Sequence, residues 1–193
     1  RPADGVAELR TALTRLREAS EQGLPTEVAE LDVLYNLAVG FIAAGQYEDA
    51  IEILSQAIRI APNDVDVGQG LAAANYKLAR RRISEKHPDS AIQHLRAAMK
   101  AQPGWIEPIF FLAQVLATSP NESVRDGEEA LQLALQVCQA TNFDNPQALE
   151  VLAASYAESG DFEQAIHHAS KALELARSQD EPAMVTRIQR EVE

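Results

Sequence analysis

A leucine–alanine pair returns four times along the chain, as Leu37-Ala38, Leu71-Ala72, Leu112-Ala113 and Leu152-Ala153. Each pair is followed by an alanine-led segment beginning at Ala50, Ala91, Ala130 or Ala165. Self-similarity at such a period means stacked copies of one supersecondary unit, each burying its apolar face against its neighbours. The steps from pair to pair are 34, 41 and 40 residues, so the excess has to be located. From leading alanine to next pair the spacing is 21, 21 and 22, whereas from pair to alanine it runs 13, 20, 18 and 13. The extra residues therefore sit inside the second and third copies, between their two halves. Within each half the apolar positions return at helical spacing, as in Leu34, Leu37, Ala38 and Phe41 and then Ala50, Ile51, Leu54, Ala57 and Ile58. No alternating β-branched run argues for a strand.

Those residues carry a family pattern. Leu34-x2-Leu37-Ala38-x2-Phe41 followed by Gly45, Tyr47, Ala50-x3-Leu54, Ala57 and Pro62 resembles the tetratricopeptide repeat (TPR), and Leu149-x2-Leu152-Ala153-x2-Tyr156 with Gly160, Phe162, Ala165 and Ala172 resembles it again. The second copy (Leu71-Ala72-x2-Asn75, Ala91-x3-Leu95, Ala98, Pro103) is stretched. In the third (Ile109-x2-Leu112-Ala113-x2-Leu116, Ala130) the closing proline falls late, at Pro146, and the fourth has Arg177 where the proline usually stands. The resemblance implies an all-α, right-handed solenoid of antiparallel helix pairs. One domain over 1–193 is expected, read as a piece of a longer protein, with repeats at 31–64, 65–105, 106–145 and 146–179. Asn63-Asp64, Ser123 with Asp126, Asp144-Asn145 and Asp161 supply cap chemistry before helices, and Gly45 and Gly160 stand where a helix turns back.

At the ends, residues 4–22 place Leu9, Ala12, Leu13, Leu16 and Ala19 on one helical face, as a cap or as the second helix of an earlier repeat. Residues 182–193, with Pro182, Met184, Val185 and Ile188, read as a covering helix. In the second repeat the insertion extends the first helix, whose stripe Tyr76, Ala79, Ile83 continues to His87-Pro88, where the proline disfavours further helix. Its outer arc, Lys77, Arg80, Arg81, Arg82 and Lys86, is either a solvated helix end with an Arg81–Glu85 pair or a docking edge for an acidic partner. Such a partner includes the chain's own residues 121–193, which hold 5 basic against 14 acidic residues. The third repeat's insertion, Thr118-Ser119-Pro120-Asn121-Glu122, is a loop by composition, and Asn121-Glu122-Ser123 matches a glycosylation triplet that arises often by chance.

The net charge of −12 argues against general binding to nucleic acid or an anionic membrane, because phosphate contact needs a basic face. No apolar run approaches the roughly 20 residues that a bilayer requires. A single cysteine makes no internal bridge, and among Leu131, Leu133, Ala134, Leu135 and Val137 it reads as a small buried hydrophobe. His167-His168 point about 100° apart on a helix, and His87 and His94 stand in no ligating constellation. There is no phosphate loop, nucleophile elbow or zinc spacing, so neither a cofactor nor a metal is expected and the chain reads as no enzyme.

The resemblance implies that the first helices line a concave groove. The residues pointing into it are then Asp32, Tyr35, Asn36, Val39 and Ile42; Asp66, Gln69, Gly70, Ala73 and Tyr76; Glu107, Phe110, Phe111, Gln114 and Ala117; and Gln147, Glu150, Val151, Ala154 and Ala157. Aromatics with an acidic row suggest a protein or peptide ligand that is apolar and neutral or basic, such as an amphipathic helix. TPR domains that hold acidic chaperone C-termini use lysine, arginine and asparagine at these places, and Asn36 alone is no such clamp. The expectation is an interaction scaffold, cytoplasmic or periplasmic. The rival readings are homo-oligomeric self-assembly, with the basic arc meeting the acidic half head to tail, and an accessory domain that positions a catalytic or redox domain elsewhere in a longer chain.

Overall fold

A computed structural model describes the backbone of residues 2–192 and the side chains of residues 5–190. Arg1 and Glu193, the ends of the expected domain, lie outside the described residues. The described residues are helical with no strand: α1 (Pro2–Glu21), α2 (Glu27–Ala43), α3 (Tyr47–Ile60), α4 (Val65–Ser84), α5 (Pro88–Ala101), α6 (Ile106–Thr118), α7 (Gly127–Ala140), α8 (Pro146–Glu158), α9 (Phe162–Ser178) and α10 (Pro182–Val192). The chain divides into two compact units, residues 1–85 with 96–103, and residues 86–95 with 104–193.

In the first unit α1 packs on α2, α2 on α3 and α3 on α4, with α2 also touching α4. Leu13, Leu34, Leu37, Phe41, Leu54 and Val67 close the core, and Ala38, Ala50, Ala57 and Ala74 are buried where helices cross. Alanine at those crossings lets backbones approach, and each larger neighbour fills the space so freed. The amphipathic face expected on α1 is real: Leu13 is buried, and Arg10 lies 5.3 Å over the Phe41 ring. Arg17 ties the far end of α1 by donating to Glu30 (3.0 Å) and Gln56 (2.7 Å).

In the second unit α6 packs on α7 and α8, α7 on α8, α8 on α9 and α9 on α10. Ile109, Leu112, Ala130, Ala134, Leu149, Leu152, Ala172, Met184 and Ile188 are buried. Arg187 of α10 grips Glu150 of α8 with two hydrogen bonds, 2.6 and 2.5 Å, so the last helix is held by a bidentate ion pair as well as by Met184 and Ile188.

The local signals placed the element ends well. Asp64, Asp126, Asn145 and Asp161 each accept a hydrogen bond from the backbone N–H three residues on, at 3.0 to 3.1 Å. Three neighbours do not cap. Asn63 and Asp144 precede the caps, and Ser123 lies in a short 3-10 turn, Glu122–Val124, where its own N–H donates to Asn121. That turn breaks up what composition marked only as loop. Gly45 (φ +74°) and Gly160 (φ +84°) take the left-handed conformation that ends α2 and α8, a position costly for any residue with a Cβ. The insertion of the second repeat is helix, since α4 has 20 residues against 17 in α2 and 13 in α6 and α8. Likewise α9, with Arg177 in place of proline, runs 17 residues where α3, α5 and α7 have 14.

Candidate protein-binding surface

In the first unit the candidate face is built by α2 and α4. Asp32, Asn36 and Val39 of α2 are exposed, Val39 by 47%, and Tyr35 is half-buried. Tyr35 lies opposite Gly70 of α4, where a Cβ would stand 3.2 Å from Leu54 and in ordinary contact, 3.6 Å, with the tyrosine ring. A shallow hollow of about 100 Å³ opens beside it, lined by Asp32, Asn36, Asp64 and Asp66. From α4, Asp66 and Gln69 are exposed, and Tyr76 is half-buried with the Arg80 guanidinium 5.8 Å from its ring centre. Ile42 is the exception on this face, since it packs against the core.

The basic arc is largely spent inside the unit. Arg81 donates to the Gly45 carbonyl (3.1 Å) and pairs closely with Glu48, its guanidinium 5.3 Å over the Tyr47 ring. Arg82 reaches Glu48 at 3.0 Å and Glu85 at 2.8 Å, and the Arg81–Glu85 pair closes at 3.8 Å. Burial pushes the Glu48 carboxyl up, but the hydrogen bond from Arg81, its own backbone N–H and the two guanidinium charges outweigh it and hold it below the usual range. Lys77 and Lys86 remain exposed.

In the second unit Glu107 and Gln114 of α6 are exposed, and Phe110 and Phe111 are half-buried and edge-to-face at 5.4 Å. On α8, Gln147 donates to Glu181, Glu150 is taken by Arg187, and Val151 is buried at 4% exposure, so this row offers mainly Ala154 and Ala157. Beside them lies a hollow of about 460 Å³, lined by Ala117, Ala153, Ala154, Ala157, Ala165, Ala169 and Ile188 together with Thr118, Glu150 and Glu158, and by the exposed Phe162 and Ile166. Phe162 (66% exposed) and Ile166 (58%) are among the most exposed large apolar residues of the chain. Sequence reasoning read Phe162 only as part of the repeat pattern, where its counterpart Tyr47 is covered.

Residues 31–64 and 146–179 match family models described as tetratricopeptide repeat. The chain carries tetratricopeptide repeats at both places. Among solved structures this TPR chain is similar to MamA, at 15% identity over 92% of this chain and 95% of the other (TM-score 0.55). A MamA from Desulfovibrio magneticus RS-1 is similar at 19% over 92% and 98% (TM-score 0.52). It is also similar to YrrB, described as a TPR protein with an unusual peptide-binding site, at 20% identity over 97% of this chain and 86% of the other (TM-score 0.56). At these identities the likeness shows the fold. No curated protein matches the sequence.

TPR proteins are typically interaction scaffolds without catalysis. Burial pushes the Cys138 thiol up to about 11, only partly countered by Lys171, so it is protonated and unreactive at neutral pH. No group of three or more His, Cys, Asp or Glu among the described residues is arranged to hold a metal ion, and no described helix is long and apolar enough to cross a membrane. His168 stacks flat on Tyr156 at 5.3 Å, its buried Nδ1 without a hydrogen-bond partner among the described residues. Burial first, then His167 and Lys171, lowers its pKa from 6.5. The unfolded chain therefore binds this proton more readily than the folded one. The stabilisation is complete above pH 6.5 and is lost as pH falls through the lower folded-state value. Thermal melts between pH 8 and 5.5 are expected to fall more steeply for the parent than for His168→Gln; parallel curves would refute this.

Proposed function

We propose that this TPR chain binds a polypeptide segment, apolar with neutral or basic flanks, along its first helices. The repeats on this reading are 31–64, 65–105, 106–145 and 146–179, with α1 the second helix of an earlier repeat and α10 a cover. The observation that carries it is a pairing repeated in both units: half-buried aromatics, Tyr35 and Tyr76 or Phe110 and Phe111, beside exposed carboxylates. Asp32, Asp66 and Glu107 have no cation partner among the described residues. Aromatic anchors with a rim of one charge sign favour an amphipathic ligand of opposite charge. An acidic terminus would find no basic clamp. Head-to-tail self-assembly is less well supported, because Arg81 and Arg82 already serve Glu48 and Glu85.

The test is selection from a displayed library of helical peptides, followed by affinity measurement. Enriched sequences should be apolar and net basic. Tyr35→Ala, Phe110→Ala, Phe111→Ala together should weaken them at least ~30-fold, the loss of about 2 kcal/mol typical of one aromatic anchor. Where that variant loses helical content, Asp32→Asn, Asp66→Asn, Glu107→Gln carries the test at exposed positions. Enrichment of acidic peptides, or unchanged affinity in both variants, sinks the proposal.

A further inference from the structure

The second repeat breaks its own pattern at two places. Aligned on Leu37, Leu71, Leu112 and Leu152, the position three residues earlier holds Leu34, Gly68, Ile109 and Leu149, and the position four residues later holds Phe41, Asn75, Leu116 and Tyr156. Leu34, Ile109 and Leu149 are buried in the core, as are Phe41 and Leu116. The second repeat thus has no side chain at the first of these positions and a short amide at the second. A core that lacks large side chains either closes up or keeps a hole.

Here both are seen. At Gly68 the end of α5 has come close, since a Cβ there would stand 3.4 Å from the Ala101 carbonyl oxygen. Beside that contact a hollow of about 680 Å³ stays open, lined by residues of α3, α4, α5 and the turn before α4, all within the first unit. Gly68, Leu71 and Asn75 line it together. Leu71 is only half-buried, whereas Leu37, Leu112 and Leu152 at the same position are covered. Val65, also in the lining, is 68% exposed. Asn75 is 4% exposed and turns its Nδ2 to the Leu71 carbonyl of its own helix (2.9 Å). Opening a core leucine to solvent and burying an amide both cost stability, and departures from a fold's own pattern concentrate where a chain does more than fold.

We propose that this hollow is a site for a small carboxylic acid whose apolar part has about the bulk of the missing leucine and phenylalanine side chains. Size and charge select that occupant. The volume lies in the range of small-molecule sites, about 300–1,000 Å³, and the lining is drawn from three helices rather than from a track along one. Two charged residues line it. Asp64 engages its carboxylate with the Val67 N–H (3.0 Å) as the cap of α4, whereas Lys100 has no anionic partner among the described residues. A ligand carboxylate pairs with that ammonium, and the apolar part covers Leu71 in the space that Gly68 and Asn75 leave. On α4 the stripe Gly68, Leu71, Asn75 lies on the opposite side from Asp66 and Tyr76, so the proposal does not depend on the one above.

The probes are 4-phenylbutyrate and 4-methylpentanoate, which carry the apolar groups of phenylalanine and leucine on a carboxylate. Titrated into the whole chain and followed by its backbone amide resonances, at least one should give saturable shifts confined to residues 58–75 and 97–103, with a dissociation constant below about 1 mM. The uncharged amide of that probe should bind severalfold more weakly. Lys100→Gln should weaken the acid severalfold yet leave the amide unchanged, the coupling expected of a direct pair. Asn75→Leu, which restores the residue type of Leu116, should bind the acid about tenfold or more weakly while the melting temperature holds or rises. Where Asn75→Leu melts lower, Ala97→Leu, at a half-buried position of the lining, carries the test. No saturation by either acid at about 5 mM, shifts located elsewhere, or equal binding by parent and filled variants overturns the site. Equal affinity for acid and amide overturns the carboxylate. Acetyl-Leu-Phe binding more than about tenfold tighter than both acids overturns the small ligand in favour of a polypeptide C-terminus. The Asp32→Asn, Asp66→Asn, Glu107→Gln chain should bind the probes normally.

Discussion

Replacing Gly127 with alanine is expected to destabilise the chain by about 2–3 kcal/mol, the upper part of the range for forcing atoms into a packed interior. For a chain of this size that is ~5–10 °C in melting temperature. At the first turn of a helix the same exchange is ordinarily stabilising, because alanine loses less backbone freedom and favours helix more. Here the sign reverses for steric reasons. A Cβ at Gly127 would lie 2.8 Å from the Ser159 nitrogen and 2.9 Å from the Glu158 carbonyl carbon, both backbone atoms that no rotamer change can move. The last turn of α8 has settled directly on the first residue of α7, and the Arg125–Glu158 pair fastens it there. Calorimetry of Gly127→Ala checks this; an unchanged or higher melting temperature would show that α8 has room to shift. The homologous position in the other repeats holds Tyr47, Pro88 or Phe162, so the cost is a property of this one junction.

That junction also marks where the sequence stops being readable. The helix pairs were legible because their signals are local: apolar positions at helical spacing, a carboxylate or asparagine three residues before the N–H it caps, a glycine at each left-handed turn, a proline after the helix. Departures were legible too. The seven extra residues of the second repeat had to be helix, because their apolar stripe continued to His87-Pro88. What stayed hidden depends on what lies opposite. Tyr47 and Phe162 carry the same pattern position, but one lies under Arg81 and the other is bare. Arg81 and Arg82 looked like an outward basic arc because their acceptor, Glu48, is 33 and 34 residues away. Glu150, assigned to the concave row by pattern, is instead gripped by Arg187, 37 residues on. A repeat pattern fixes a residue's place in its own unit and leaves its neighbour across the joint undetermined.

The same asymmetry predicts opposite outcomes for one substitution at two equivalent alanines. Ala50 is buried without measurable exposure in the core of the first unit, in one cluster with Leu37 and Leu54. Leucine there adds three carbons to a closed crossing, and a loss of about 3 kcal/mol is expected because α2 and α3 must separate to admit them. Ala165 holds the same place in the fourth repeat, but it is half-exposed and forms a wall of the 460 Å³ hollow. Leucine at Ala165 enters open space and covers apolar surface, so stability should stay within about 0.5 kcal/mol of the parent or rise slightly. Denaturant titration of the two variants tests the pair, and comparable losses at both would mean that the hollow is closed in solution. Stability is insensitive at this position because the hollow is surplus to the packing of the repeat that bears it.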